Sequence, residues 1–591
     1  MTNRTLIALA ISLACCAALD AQQADQPTDP AEGLLLPQPT HFTNDGPAGR
    51  GGGPVTADLL TKAPADPSSW LHFGGNYASW RHSPIKALTP ASLKNLRVAW
   101  MLPTGTPVQL EVSPIVYDGI LYATSSHNRL FAADAVTGKL IWRYDHQMPG
   151  DLRICCGPVN RGPAIAGDNV LMATLDARLI AFDRKSGKIV WNTEIAPYAG
   201  GLSATAAPLV VGDIAVIGVG GGEYGVRGFF DGYDVKTGER KWRHYTVPVA
   251  GEPGVETWAG DSWKSGGGST WVSGSYDVAS DTLLWAVGNP SPDWNGDLRE
   301  GDNLYTDSVL ALDPKTGKRK WHFQFTPHDL WDYDGNTELF LVDVDRGGQK
   351  VPVIAQANRN GYFYLLDRRD GKFLSAKQYA DQVNWAKGID AKGRPIYDPK
   401  MVPVDEGETP ERVCPGLAGG KNGSYNGAFN PDLGLAFLPV IESCMQFKKG
   451  LIVFVEGVPF LGGEPIGVDA ADGKAYGHLS AIDVATGVEK WRYKDPYPMM
   501  AGVLSTAGGA VITGNMEGHL LGFDAATGKE TWRWIAGSTI RSHPIAYQLD
   551  GRTFMAIGVG GGGGVESIVG KPAIIPDAGI LLVFELRAGS G

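Results

Sequence analysis

Beyond residue 95, short apolar runs such as "RLIAF" and "HLLGF" alternate with polar turns, and one nine-residue phrase keeps returning. It reads "DAVTGKLIW" from Asp134, "DRKSGKIVW" from Asp183, "DVKTGERKW" from Asp234, "DPKTGKRKW" from Asp313, "DVATGVEKW" from Asp483 and "DAATGKETW" from Asp524. A seventh, "DRRDGKFLS" from Asp367, lacks the closing Trp. Each phrase follows a β-type run, and its Asp-x-x-Thr-Gly core supplies a turn whose Gly tolerates positive φ, so each reads as a hairpin whose Trp begins the next strand. Intervals of 41 to 54 residues, with two longer ones of 79 and 116, predict one four-stranded sheet per repeat, with insertions and one hidden repeat in the longest gap. The fold class expected is all-β, an eight-bladed β-propeller whose recurring Trp residues dock neighbouring blades.

Composition agrees with turn-rich β structure: the 591 residues include 79 Gly and 17 Trp, with no strict Gly period. A net charge of -11 argues against a nucleic-acid or acidic-membrane partner and suits a basic protein partner. The opening "MTNRTLIALAISLACCAALDAQQ" has one Arg, an apolar run too short to span a membrane, then small residues, the pattern of a secretory signal peptide over 1–21. Export to the periplasm is expected; a lipid anchor on Cys15 fits the pattern poorly. No later segment has 18 consecutive apolar residues, so no membrane span is expected. Residues 22–66, rich in Pro, Gly, Ala and Asp, read as a flexible lead-in to a single propeller domain over 67–591.

After cleavage four cysteines remain, which allow three pairings in an oxidising compartment. Two of them, Cys155 and Cys156 in "RICCGPVNRG", are adjacent. Cα atoms of neighbours stand about 3.8 Å apart, whereas ordinary disulfides span roughly 4.4–6.8 Å, so a bond between them would be strained. Three inserts also depart from the repeat: "GGGEYGVRG" (220–228), "GNPSPDWNGD" (288–297) and "PHDLWDYDGN" (327–336).

Together with the vicinal cysteines, these inserts resemble those of the pyrroloquinoline quinone (PQQ)-dependent alcohol dehydrogenases of the methanol/ethanol family, from about Trp70 to Leu586. The resemblance implies that Cys155 and Cys156 are bonded to each other against one face of the quinone with Trp271 stacked on the other, and that Cys414 pairs with Cys444. It further implies that Arg161 and Thr205 meet the quinone's carboxylates with Glu111 nearby, that Gly221, Gly222 and Asn422 complete the cofactor pocket, and that Arg359 approaches the quinone oxygens. There a permanent cation would stabilise the charge that arrives on reduction. Glu223, Asn289 and Asp332 match the family's metal ligands and base, hard oxygen donors that suit a Ca²⁺-like ion, and no zinc-spaced His/Cys cluster exists. Asp334, two residues after the base, resembles the second Asp of the lanthanide-dependent members; a trivalent ion offsets three carboxylates better than Ca²⁺ does. The other reading of Asp334 is a solvated turn residue before Gly335.

The activity implied is oxidation of a small primary alcohol to an aldehyde, Asp332 taking the hydroxyl proton while hydride passes to PQQ, with one lanthanide(III) ion, or alternatively Ca²⁺, as Lewis acid. With no Cys-x-x-Cys-His stretch present, the electron acceptor expected is a separate cytochrome c. A homodimer is left open. Three positions depart from the family: Gly423 and Met500 stand where Trp is common, which predicts a larger or softer pocket, and Gly220 where some members have Ser. The "GVGGGG" run at 558–563 satisfies a dinucleotide pattern but lacks the following helix, so NAD is not expected. The rival readings are a PQQ-dependent sugar or polyol dehydrogenase and a non-enzymatic propeller scaffold.

Overall fold

The apolar runs that precede the repeated phrase become strands. A computed structural model describes residues 40–42, 49–467, 469, 474–561 and 575–588; the expected signal peptide lies outside them. Eight sheets of four antiparallel main strands follow one another as the blades of a propeller, the first and seventh each carrying a two-residue fifth strand, Thr40–His41 and, in parallel, His82–Ser83. Blades one to seven are contiguous in sequence, at 115–145, 164–194, 209–245, 275–324, 340–378, 428–495 and 504–535. The eighth is composite. Its outer strand Leu96–Pro103 comes from the chain's beginning and pairs with Ile580–Leu586 at its end, Leu96 opposite Leu586 and Pro103 opposite Ile580.

This closure corrects one expectation. The 116-residue interval hides no extra blade: it holds two small ribbons, Ala386–Ile389 with Pro395–Tyr397 and Gln446–Lys449 with Gly463–Ile466. The blade without a repeat phrase is the eighth, because its outer strand arrives from the far end of the chain and needs no Asp-x-x-Thr-Gly hairpin.

The phrase itself acts between blades. A Cβ added to the turn Gly of one blade would stand 2.5–2.6 Å from the indole of the blade before it, for Gly138 on Trp100, Gly187 on Trp142, Gly238 on Trp191, Gly317 on Trp242, Gly371 on Trp321 and Gly528 on Trp491. Only a bare glycine face, at φ between 66° and 75°, admits the ring. Five of these indoles also donate their N–H to a carbonyl in the same turn, at 2.9–3.3 Å: Trp100 to Ala135, Trp142 to Arg184, Trp191 to Val235, Trp242 to Pro314 and Trp491 to Ala525. In blade five, where the Trp is missing, Gly487 packs on Lys377 instead.

Part of the lead-in is not loose. Val55 bridges Gly167, and the short helix Ala57–Lys62, capped by Thr56, buries Leu60 against the first two blades. One apolar residue per turn suffices where a ring supplies the other surface. Among the described residues no helix is long and apolar enough to cross a membrane.

Trp142 is wholly buried at the first junction, so Trp142→Ala is expected to cost about 3–5 kcal/mol. Lys377→Ala, at the junction without an indole, should change stability by no more than about 0.5 kcal/mol. Urea midpoints of the two variants check the difference.

Candidate functional site

First strands of neighbouring blades touch one another, so they line the axis. The residue three or four positions before each first strand recurs as a ring at one end of that axis: Glu111, Arg161, Thr205, Trp271, Asn336, Ser424, Met500 and Arg541. Connections between second and third strands reach the same end and carry Glu223, Asn289 and Arg359. The Asp-x-x-Thr-Gly turns lie at the opposite end.

One half of the ring is cationic. Arg161 stands 3.1 Å from Glu111 Oε2, donates to Thr205 Oγ1 at 2.7 Å and to Ser424 Oγ at 3.0 Å, and lies 4.8 Å from the Trp271 ring centroid. Arg541 reaches the other oxygen of Glu111 at 2.5 Å and the Tyr425 hydroxyl at 2.8 Å. Two guanidinium groups thus share one carboxylate. Burial lowers the Arg161 pKa below its ordinary value, against the pull of Glu111, and its Nε has no hydrogen-bond partner among the described residues.

The other half is acidic. Asp332 and Asp334 both take the left-handed conformation, φ 61° and 57°, which Asp tolerates better than most residues. Arg359 is ion-paired with Asp334 and stands 3.6 Å from Asp332 Oδ1. The other oxygen of Asp334 accepts the Asn289 backbone N–H at 3.2 Å. Only 3% of Asp334 is exposed, so it is no solvated turn residue. Glu223 sits on the turn Gly222–Tyr224, which Gly221 opens at φ 113°. Burial raises its pKa, with Asp334 adding to the effect. Asp332 is pushed far up by burial, only partly opposed by Arg359.

The two halves meet. Cys155 and Cys156 are bonded to each other, and their sulfurs lie within 4.8 Å of a Glu223 carboxylate oxygen. Being oxidised, they offer no thiolate to a metal. Cys414 and Cys444 form the second disulfide. Asn422 is adjacent in sequence to the buried Lys421–Glu338 pair, but its side chain accepts the Ser424 N–H at 2.9 Å in a local turn.

One expectation about pocket size is corrected. The Asn336 carbonyl oxygen fills the place where a Gly423 Cβ would stand, beside the Trp271 ring, so this glycine marks a close approach rather than an opening. Met500 is fully buried among Ala418, Tyr425, Ile441 and Met516. At Gly220 the Ser203 hydroxyl lies 3.0 Å from where a Cβ would be. Of the 558–563 run, residues 558–561 are described, and Arg552–Val559 is a strand of blade eight.

Sequence reasoning missed Arg541, Ser424 and Asn336, and also three further buried acids, Asp293, Asp307 and Asp329, held around Arg299. Arg299 donates to the backbone carbonyls of Pro292, Asp293 and Asp329. Burial drives Asp293 and Asp307 well above the ordinary carboxylate range, with Asp332 and Asp329 respectively adding to it.

Residues 70–376 match the family model for the glucose/ethanol/alcohol dehydrogenase β-propeller domain. The chain belongs to the PQQ-dependent alcohol dehydrogenases. This quinoprotein is 38% identical over 552 residues, 89% of the chain and 92% of the relative, to quinoprotein alcohol dehydrogenase PedH of Pseudomonas putida. It is 35% identical to the lanthanide-dependent methanol dehydrogenase of Methylacidiphilum fumariolicum, over 88% and 90% of the two chains. A europium-containing methanol dehydrogenase structure superposes with a TM-score of 0.84 at 32% identity, covering 90% of this chain and all of that one. Residues 447–558 also match the model for outer membrane protein assembly factor BamB, a stretch that contains none of the acidic half.

The residues present fit the groups such an enzyme holds. Among the described residues Glu223, Asp332 and Asp334 face a single guanidinium, Arg359, while Asp293 Oδ1 and Asn336 Oδ1 have no hydrogen-bond partner, an excess of hard oxygen donors suited to a cation. Arg161 and Arg541, with Thr205 and Ser424, suit an anionic ligand.

In metal-free protein the raised carboxyls keep protons when folded that the unfolded chain has already released. The folded state then binds more protons, so stability falls as pH rises from the ordinary carboxylate range toward the raised values. Thermal unfolding of chelator-stripped protein is expected to show a melting temperature that declines as pH rises above the ordinary carboxylate range of about 4, and metal is expected to remove most of that decline.

Proposed function

We propose that this protein is an exported dehydrogenase that oxidises primary alcohols to aldehydes, using PQQ and one lanthanide(III) ion and passing electrons to a separate cytochrome c. The observation that carries the reading is the pairing of a buried, under-neutralised carboxylate cluster with an arginine cluster at one end of the propeller axis, in a chain of this family. When bound, PQQ supplies a hydride acceptor and the metal a Lewis acid.

The chain's own residues do the rest. Arg161, Thr205 and Arg541 hold the quinone's carboxylates, with Glu111 keeping the two guanidinium groups together against their mutual repulsion. Trp271 and the Cys155–Cys156 disulfide bound the cofactor, with Gly221, Gly222 and Asn422 nearby. Glu223, Asn289, Asp332 and Asp334 would hold the metal. Asp332 keeps part of its side chain exposed, unlike Asp334, and it is the group that takes the alcohol's hydroxyl proton. Arg359 fixes Asp334 and stands by Asp332, so the base has a defined orientation before substrate arrives. Export rests on the N-terminal 21 residues, and the separate acceptor on the lack of a Cys-x-x-Cys-His stretch.

Asp332→Asn should abolish turnover while quinone, followed by its absorbance, stays bound; near-wild-type oxidation would place the base elsewhere. For the metal, stripped protein is reconstituted with quinone and either La³⁺ or Ca²⁺. Activity is expected with La³⁺ and little with Ca²⁺, and Asp334→Ala should remove the La³⁺ response. Full activity with Ca²⁺, unchanged by the substitution, would make calcium the working metal.

A further inference from the structure

Between strands Leu435–Glu442 and Tyr476–Asp483 of blade six, the chain rises at the same end of the axis as Glu223 and Asn289. There the ribbon Gln446–Lys449 with Gly463–Ile466 carries a loop, "GLIVFVEGVPF", over 450–460. Such a sequence would ordinarily be interior. Here Leu451 is 90% exposed and Val453 65%, and Phe454, Val455 and Val458 are each about half exposed. Isolated apolar side chains on a surface need no explanation, but a contiguous group does.

The loop's underside is fastened to the candidate site. The Phe460 N–H donates to the Glu223 carbonyl at 2.6 Å, and the Ser291 hydroxyl to the Phe460 carbonyl at 3.3 Å. Phe454 and Phe460 pack edge to face, and a Cβ on Gly225 would stand 2.9 Å from the Phe454 ring. Arg153, two residues before the vicinal disulfide, donates to the Gly457 carbonyl at 3.2 Å. The loop thus ties together the segments carrying Cys155, Glu223 and Asn289, and turns its apolar side chains outward beside them.

We propose that this loop is the rim that receives the tail of the alcohol, and that the substrates are primary alcohols with long alkyl or aryl tails. The inference rests on the alcohol dehydrogenase reading above and adds the substrate class to it. Five side chains on one loop offer far less than the roughly 1,200 Å² of a stable protein interface, whereas a chain of several carbons is the right size to lie across them. A hydroxyl placed at Asp332 leaves the tail directed away from the charged groups, since burying apolar carbon among unpaired carboxylates gains nothing.

Complete removal of a methylene from water is worth about fourfold, or about 0.8 kcal/mol, and half-burial on an open rim about twofold. In the quinone- and metal-loaded enzyme, kcat/KM should rise about twofold per methylene from ethanol through 1-butanol to 1-hexanol and 1-octanol, carried by KM. In Phe454→Ser, and separately in the double variant Val453→Ser with Val455→Ser, that slope should flatten while the value for ethanol stays unchanged. The two valines are solvent-facing, so the second variant remains informative if the first disturbs the loop. A wild-type series without rise, or the same rise in both variants, would overturn the proposal while ethanol turnover leaves the dehydrogenase reading intact. Failure to oxidise any alcohol would overturn that reading, and this inference with it.

Discussion

The molecule depends on the seat that six of its eight blades offer to the indole of the blade before. A turn glycine without a Cβ lets the tryptophan of the preceding blade lie flat against it, and the indole N–H finds a carbonyl in the same turn. Repeated around the ring, this contact sets the angle between sheets and buries the edges that would otherwise pair with other chains. It also decides what the axis can hold. First strands converge there, and the residues just before them are carried to a common centre from every blade. Side chains more than 400 residues apart in sequence, such as Glu111 and Arg541, become neighbours through no local feature of their own.

That convergence concentrates charge. Carboxylates from three inserts crowd one half of the axial site, guanidinium groups the other, and each half carries more of one sign than its internal pairs offset. In a low-dielectric interior such an arrangement is unfavourable alone and favourable with ligands of opposite sign in place. The halves are carried on different segments and meet at Cys155–Cys156 and Trp271. Stability and the proposed ligand binding are therefore linked: the groups proposed to hold the ligands are the ones whose like charges crowd the ligand-free fold.

Much of this was legible in the chain itself. The Asp-x-x-Thr-Gly phrase announced the hairpins, the Trp its interblade role, and the vicinal cysteines and three inserts the region of chemistry. What escaped has a common cause. Arg541 and Ser424 interrupt no repeat and sit in no insert; they are recognisable only once the first strands are delimited and the position three or four residues before each is compared across blades. The eighth blade was expected but misplaced in the longest gap, because its strands come from opposite ends of the sequence, with no turn phrase between them. Gly423 misled for a related reason. A missing side chain reads as space in a sequence, whereas here a carbonyl from another blade occupies it.

The composite blade sets the order of assembly. The ring cannot close until Ile580–Leu586 has been made and has captured Leu96–Pro103, and the Glu111–Arg541 pair straddles that seam, its members 430 positions apart in sequence. Contacts of such sequence separation form late, because the loop they close is long. A growing chain therefore has no pocket in which to hold a quinone, however many blades have already stacked. The last strand acts as a latch, and cofactor capture is a property of the finished circle alone.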